Sequence, residues 1–506
     1  MKKKIKNETV FLNFRLVYIV FILLYSIARQ IIVPTQSIFM HGAFNIVTVL
    51  VAGVIFVWDF LFFKNLFKSK YIWWLVALFA ATGISIAINF RYALIDNIKA
   101  AANMFIQFFV LFAVGNRITK ERIKYDIKVI GNLLSIFWLP GIVASLIMYF
   151  FDIQYQQTSY IWGGAKAGNQ GFVRVDDGAV VNRLWGVFVD PNFAAAIAIM
   201  VICFSIYIIK NANKKWVKCL HIINVFLQFL YIVLSNSRTA ILIVLLLAVV
   251  GGWYISIEKV SKLVKKRLVC EAVALMLSGV IAVGSWLCLT GARKVLPYVQ
   301  FIQSESLVDY SKDDFNSDGI NGDDNKDADT DGQPDTNKDK NDNKNGIVSF
   351  ERDDIKKKGD VSNGRLELWY EGFKIIKNKP VFGVGPRSYH QVAAEMDSPM
   401  IISERSIHNS YLELFMGNGI IGIILMVIFF LLCATNALLL RIKKTDSLFT
   451  VGILMLIVLS ALIGGMMISS LFYYLSGISI IAFSMLGYAV SYMECVKNEN
   501  THTATL

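Results

Sequence analysis

Three arginines and one histidine, far apart in this chain, stand where they could handle a phosphate. Arg183 lies in RLWGVFVDPN, Arg238 in SNSRTA, Arg365 in GRLELW and His408 in HNSYLE, each at the end of an apolar segment or in a long polar loop. Guanidinium groups are planar, permanently charged and offer paired donors, which suits them to phosphate oxygens and to a negative leaving group. Histidine is the common general base near neutral pH and can take the proton of an attacking hydroxyl. Cations and a base gathered at one membrane face suit a lipid-linked phosphate substrate. The competing reading is that charged residues at span ends anchor the chain at the membrane interface. Arg387 adds charge from the same loop as Arg365, Asn409 suits a helix cap, and Glu413 follows about one turn later.

These side chains need a membrane scaffold. The chain has 506 residues, 56% of them hydrophobic, above the roughly 45–50% apolar content of soluble domains. A bilayer span needs roughly 20 mostly apolar residues. About twelve such stretches are present, near 14–33, 42–63, 71–90, 98–116, 127–150, 190–209, 216–235, 238–256, 268–289, 409–434, 448–468 and 471–492. The expected fold is therefore an all-α polytopic membrane protein with a large extracytoplasmic loop between the ninth and tenth helices. Its parts would be helices one to nine in 1–289 with an outer loop at 151–189, a loop domain in 290–407, and helices ten to twelve with a tail in 408–506. The basic segments Lys2–Lys6, Lys64–Lys70, Arg117–Lys124, Lys210–Lys215, Lys259–Arg267, Arg441–Lys444 and Lys497 then all fall on one side, the cytoplasmic one. This predicts a multi-pass plasma-membrane protein with both termini inside and the arginines and His408 outside. The first span lacks a small-residue cleavage site, so it is expected to be retained.

The formal charge of +13 is what the positive-inside bias and attraction to anionic lipid produce. No basic face with interleaved aromatics points to nucleic acid. The six cysteines lie in spans, near their ends or in the tail, with no metal spacing and no disulfide framework.

The loop domain contains a low-complexity insert at 313–346. Asp314, Asn316 and Asp318 precede Gly319, while Asp327, Asp329 and Asp331 precede Gly332, with Asp335 three further on. Alternate side-chain oxygens around a glycine turn are what a Ca²⁺ loop uses, and the pattern resembles EF-hand-like and thrombospondin type 3 repeats. Position twelve counted from Asp314 is Asn325 rather than a bidentate Glu. Ca²⁺ binding and a solvated acidic linker both remain open. Beyond the insert, the spacing of Leu366, Trp369, Phe373 and Ile376 predicts a one-sided helix over 364–378, ended by Lys379-Pro380.

Four motifs in order resemble the O-antigen ligase and O-antigen polymerase-like superfamily: RLWGVFVDPNFAA at 183–195, LSNSRTAIL at 234–242, GRLELWYEGFKIIKNKPVFGVGP at 364–386 and HNSYLELFMGNGIIG at 408–422. The resemblance covers roughly 180–435 and leaves the insert outside the family pattern. It implies an inverting transfer of glycan from an undecaprenyl-pyrophosphate carrier at the outer membrane face, with no cofactor or metal needed for chemistry. It also implies His408 as base and Arg183, Arg238 and Arg365 as pyrophosphate binders, with Arg387 a further candidate and Asn192, Asn409 and Glu413 in support. His390 is off the motif and is expected on a helix surface. The partners would be the lipid-linked oligosaccharide, membrane lipids and a glycan, lipid or protein acceptor. The rival classes are a transporter or flippase of the same glycan, a protein O-oligosaccharyltransferase, and a calcium-responsive surface protein.

Overall fold

The computed structural model describes residues 2–31, 38–161, 164–176, 179–264, 266–299, 364–396, 406–439 and 445–504. Helices α1 (Lys2–Ala28), α2 (Ile38–Trp58), α3 (Asn65–Lys68), α4 (Ile72–Ile88), α5 (Leu94–Phe105) and α6 (Lys120–Phe150) lead into three strands, β1 (Gln154–Ile161), β2 (Gly164–Asp176) and β3 (Ala179–Gly186). Four long helices follow: α7 (Pro191–Asn211), α8 (Lys215–Leu234), α9 (Arg238–Leu263) and α10 (Arg267–Val295). Beyond residues 300–363 come α11 (Arg365–Asn378), the short α12 (Tyr389–Glu395), α13 (Ser410–Leu439), α14 (Thr445–Gly465) and α15 (Gly477–Ala504).

Among the described residues, 11 helices are long and apolar enough to cross a membrane, so this is a multi-pass α-helical membrane protein. The stretch expected at 71–90 is α4, only 17 residues long, which spans about 26 Å at 1.5 Å per residue. The first helix also lies earlier than expected and ends at Ala28, leaving Arg29 beyond it. The 151–189 segment holds a three-stranded antiparallel sheet in the order β1-β2-β3, which its Gly-rich composition had concealed. The insert at 313–346, with Asp314, Asn316, Asp318, Asp327, Asp329, Asp331 and Asp335, lies outside the described residues.

The most buried spans are α15 and α7, and α10 is the least buried. Arg15 is 0% exposed. A π-helical stretch, Ile106–Ala113, extends α5, and Arg15 donates to two carbonyls in it, Val110 at 3.1 Å and Leu111 at 2.8 Å. The widened turn leaves carbonyls without their usual helical donors, and inside a membrane such groups must be met within the protein.

The helix α13 is broken at Gly419, with φ 62° and ψ −162°. The orphaned backbone groups pair with the Gly/Pro turn at 380–385. Val384 N–H donates to Met416 O at 2.8 Å, Gly385 N–H to Gly417 O at 3.1 Å, and Ile420 N–H to Pro380 O at 2.8 Å. Gly383 has φ +71°, and a Cβ there would lie 2.3 Å from Met416 O, so only glycine fits. From α4, Ser85 Oγ donates to Gly417 O at 2.6 Å and Asn89 Nδ2 to Gly383 O at 3.0 Å.

The α11 helix forms where its periodicity predicts, with Ile376 inward as expected but the buried face turned toward Leu368, Gly372 and Ile375. By contrast, Leu366 is 61% and Phe373 48% exposed. The reason is Gly372: a Cβ there would stand 2.9 Å from Ile407 Cδ1 and 3.2 Å from Leu412 Cδ2. The glycine lets α13 approach, and a count of apolar residues passes over it.

Candidate functional site

The starts of α7, α9 and α13 meet the end of α14 at one end of the bundle. Gly464 of α14 faces Ile243 of α9 and Ala196 of α7, and Gly465 faces Ser410. Helix N-termini carry partial positive charge and unsatisfied N–H groups, so their convergence favours an anion.

Strand β3 carries Arg183, paired with Val173 of β2. Its Nε donates to Ser235 O at 3.0 Å and its Nη2 to Asn192 Oδ1 at 2.9 Å. Asn192 follows Pro191 at the start of α7, where the Asp190 carboxylate caps the helix by accepting the Asn192 N–H at 2.8 Å. Ser237 caps α9 by accepting from Ala240 N–H at 3.2 Å, and its hydroxyl donates to Asn192 Oδ1 at 2.9 Å. Arg238 is the first residue of that helix. The turn before it needs a left-handed residue, supplied by Asn236 at φ +46°, a conformation asparagine tolerates. Arg183, Asn192 and the start of α9 thus form one hydrogen-bonded unit.

His408 stands just before α13, itself left-handed at φ +51°, with its N–H donating to Ser406 Oγ at 3.2 Å. Asn409 caps the helix, its Oδ1 accepting from Tyr411 N–H at 3.0 Å and Leu412 N–H at 3.1 Å. The Trp369 indole of α11 donates to Ile407 O at 3.1 Å, next to His408. One turn earlier on the same helix, Arg365 Nη1 reaches Met467 Sδ at 3.6 Å. The neighbouring Ile468 O accepts the Ser410 hydroxyl at 2.7 Å. Arg365 and His408 therefore share a corner built from α11, the start of α13 and the segment after α14.

Arg387 lies in a third group. It donates to the Tyr474 hydroxyl, with its guanidinium carbon 4.1 Å from that ring's centroid. Tyr389 and Tyr474 both donate to Glu413 Oε1, at 3.3 and 3.4 Å. Burial alone would lower the Arg387 pKa, but its surroundings of Tyr474, Glu413 and Tyr389 outweigh that and raise it above the ordinary arginine value. Burial, with the Glu413 charge behind it, pushes the Tyr389 phenol well up. His390 is half-buried, its ring centroid 4.4 Å from that of Tyr389.

Sequence reasoning passed over Ser237, Tyr389, Tyr474 and the polar residues of α5 and its extension. Asn97 Oδ1 accepts the Arg387 backbone N–H at 2.7 Å. Asn103 Nδ2 donates to Tyr473 O at 3.0 Å and Gln107 Nε2 to Tyr474 O at 2.7 Å. The signal was present, since amides inside an apolar stretch need partners. Among the described residues, no group of three or more His, Cys, Asp or Glu side chains is placed to hold a metal ion.

No curated protein matches the chain. Residues 223–427 match the family model described as O-Antigen ligase. The match takes in Arg238, Arg365, Arg387, His408 and Glu413, and begins after Arg183 and Asn192. Over this region the chain is similar to the O-antigen ligase family, which supports a place in the O-antigen ligase-like superfamily and points to ligase or polymerase glycosyl transfer.

Proposed function

We propose that the protein transfers or polymerises an undecaprenyl-pyrophosphate-linked oligosaccharide at the outer face of the plasma membrane, in a twelve-span topology with both termini inside. Arg183, Arg238 and Arg365 bind the pyrophosphate, and His408 takes the proton of the acceptor hydroxyl as its oxygen attacks the anomeric carbon. The carbon–oxygen bond to the pyrophosphate breaks in the same displacement, and the departing carrier keeps the electron pair. The observation that carries this reading is the convergence of three helix starts on the end of α14, with Arg183 and Arg238 at two of them and His408 just before the third. An acceptor in the form of a second lipid-linked repeat is favoured over a lipid core or a protein hydroxyl.

The broken α13 is a feature a transporter would share, because such breaks there line a substrate path. Here the backbone of 380–385 fills the break, which favours the transferase. The Ca²⁺ reading of the 313–346 insert stays a proposal carried by its Asp/Asn spacing alone.

The test is reconstitution of the full-length protein with carrier-linked oligosaccharide isolated from the host. Release of free undecaprenyl pyrophosphate together with lengthened glycan supports polymerase action. Movement of intact donor across the bilayer without bond cleavage would establish the transporter instead.

A further inference from the structure

We propose that Arg387 is a positioning residue and not a substrate ligand: bridged by the Tyr474 hydroxyl, Arg387 and Glu413 latch the 381–396 segment onto the first turns of α13 and so hold His408 in register with Arg365. This rests on the transferase reading above.

Glu413 and Tyr389 are each 1% exposed. A carboxylate so enclosed is costly without donors and a compensating cation. Tyr389 and Tyr474 supply the donors to Glu413 Oε1. Arg387 supplies the cation, donating to the hydroxyl of Tyr474 and lying over its ring. A guanidinium stacked on an aromatic face gains a further attraction. Drawing it to a phosphate would leave the Glu413 carboxylate uncompensated, which separates Arg387 from a headgroup ligand.

The latch joins pieces that have no covalent reason to stay together. The Arg387 main chain is tied to Asn97 of α5, and Ser388 Oγ accepts from Asn97 Nδ2 at 2.8 Å. Tyr474 belongs to the segment after α14 whose Ile468 carbonyl takes the Ser410 hydroxyl. Glu413 lies one turn past the Asn409 cap, its N–H donating to Asn409 O at 3.0 Å. Releasing Arg387 would loosen α12 and the start of α13 together, and with them the Ile407 carbonyl that Trp369 holds.

The experiment uses full-length protein in lipid nanodiscs, as wild type, Arg387→Ala, Arg387→Lys, Tyr474→Phe and Arg183→Ala. Three quantities are measured: affinity for undecaprenyl pyrophosphate, kcat and donor KM with host carrier-linked oligosaccharide, and hydrogen exchange of 381–396 and 406–412. The latch predicts that Arg387→Ala and Tyr474→Phe keep affinity and KM within about two-fold while kcat falls about ten-fold, the mark of lost orientation rather than lost binding. Exchange in both segments should rise about ten-fold as local opening becomes easier, and Arg387→Lys should recover part of kcat. Arg183→Ala should instead lose affinity. The proposal is overturned if Arg387→Ala weakens the pyrophosphate lipid as Arg183→Ala does, or leaves exchange unchanged. If wild type neither binds that lipid nor transfers glycan, the donor assignment fails, and the exchange result alone decides for or against the latch.

Discussion

Arg183 and Asn192 are joined by a 2.9 Å hydrogen bond from Nη2 to Oδ1, and the same oxygen accepts the Ser237 hydroxyl at 2.9 Å. One amide oxygen thus aligns the guanidinium of β3 with the starts of α7 and α9. Asn192→Asp would keep the geometry and put a carboxylate beside Arg183. The charge that should meet a pyrophosphate would then be neutralised inside the protein. Affinity for undecaprenyl pyrophosphate should fall about ten-fold, equivalent to ~1.4 kcal/mol, with thermal stability retained. Unchanged affinity would mean that Arg183 does not face the ligand.

His408 holds a left-handed backbone at φ +51°, where a side chain is strained and glycine is not. His408→Gly should therefore unfold at a higher temperature than His408→Ala, by the equivalent of about 1 kcal/mol. Both should abolish glycan transfer if the imidazole is the base. Thermal unfolding in detergent beside a transfer assay separates the two roles. Activity retained by the glycine variant would make His408 a turn residue only.

At Gly383 the added Cβ of an alanine would meet the Met416 carbonyl at 2.3 Å, and backbone oxygen there has nowhere to move. Gly383→Ala should cost about 2–4 kcal/mol from the clash and the positive φ together. The expected readout is a sharp drop in the monodisperse fraction on size-exclusion chromatography. Wild-type behaviour would show that the turn and α13 separate easily.

Deleting 313–346 should leave glycan assembly intact, since the insert lies outside the motif pattern. If the Asp/Asn spacing binds Ca²⁺, full-length protein should gain thermal stability in millimolar Ca²⁺ and the deletion variant should not. Equal response of the two proteins would remove the calcium assignment.

The multi-pass helical character was legible because stretches of twenty apolar residues leave few alternatives in a chain of this composition, while the stretch at 71–90 gave a helix of only 17 residues. The Asn409 cap followed from its place before an apolar run. Three features were not legible, each for a physical reason. The β1–β3 sheet comes from a Gly-rich stretch whose strand pattern is weak. The buried face of α11 is set by Gly372, a residue that hydrophobic periodicity ignores. The joining of Arg387 to Glu413 runs through Tyr474, far along the chain, and no local spacing carries such a contact.

The central proposal is that His408, with Arg183, Arg238 and Arg365, carries out glycan transfer. It is tested most directly by complementing a host deletion strain with wild type or His408→Ala at matched membrane abundance and resolving surface glycan by gel. The account predicts loss of long-chain glycan in the variant, with carrier-linked single repeats accumulating. Glycan of unchanged length and amount would contradict it and bring transport or binding to the front.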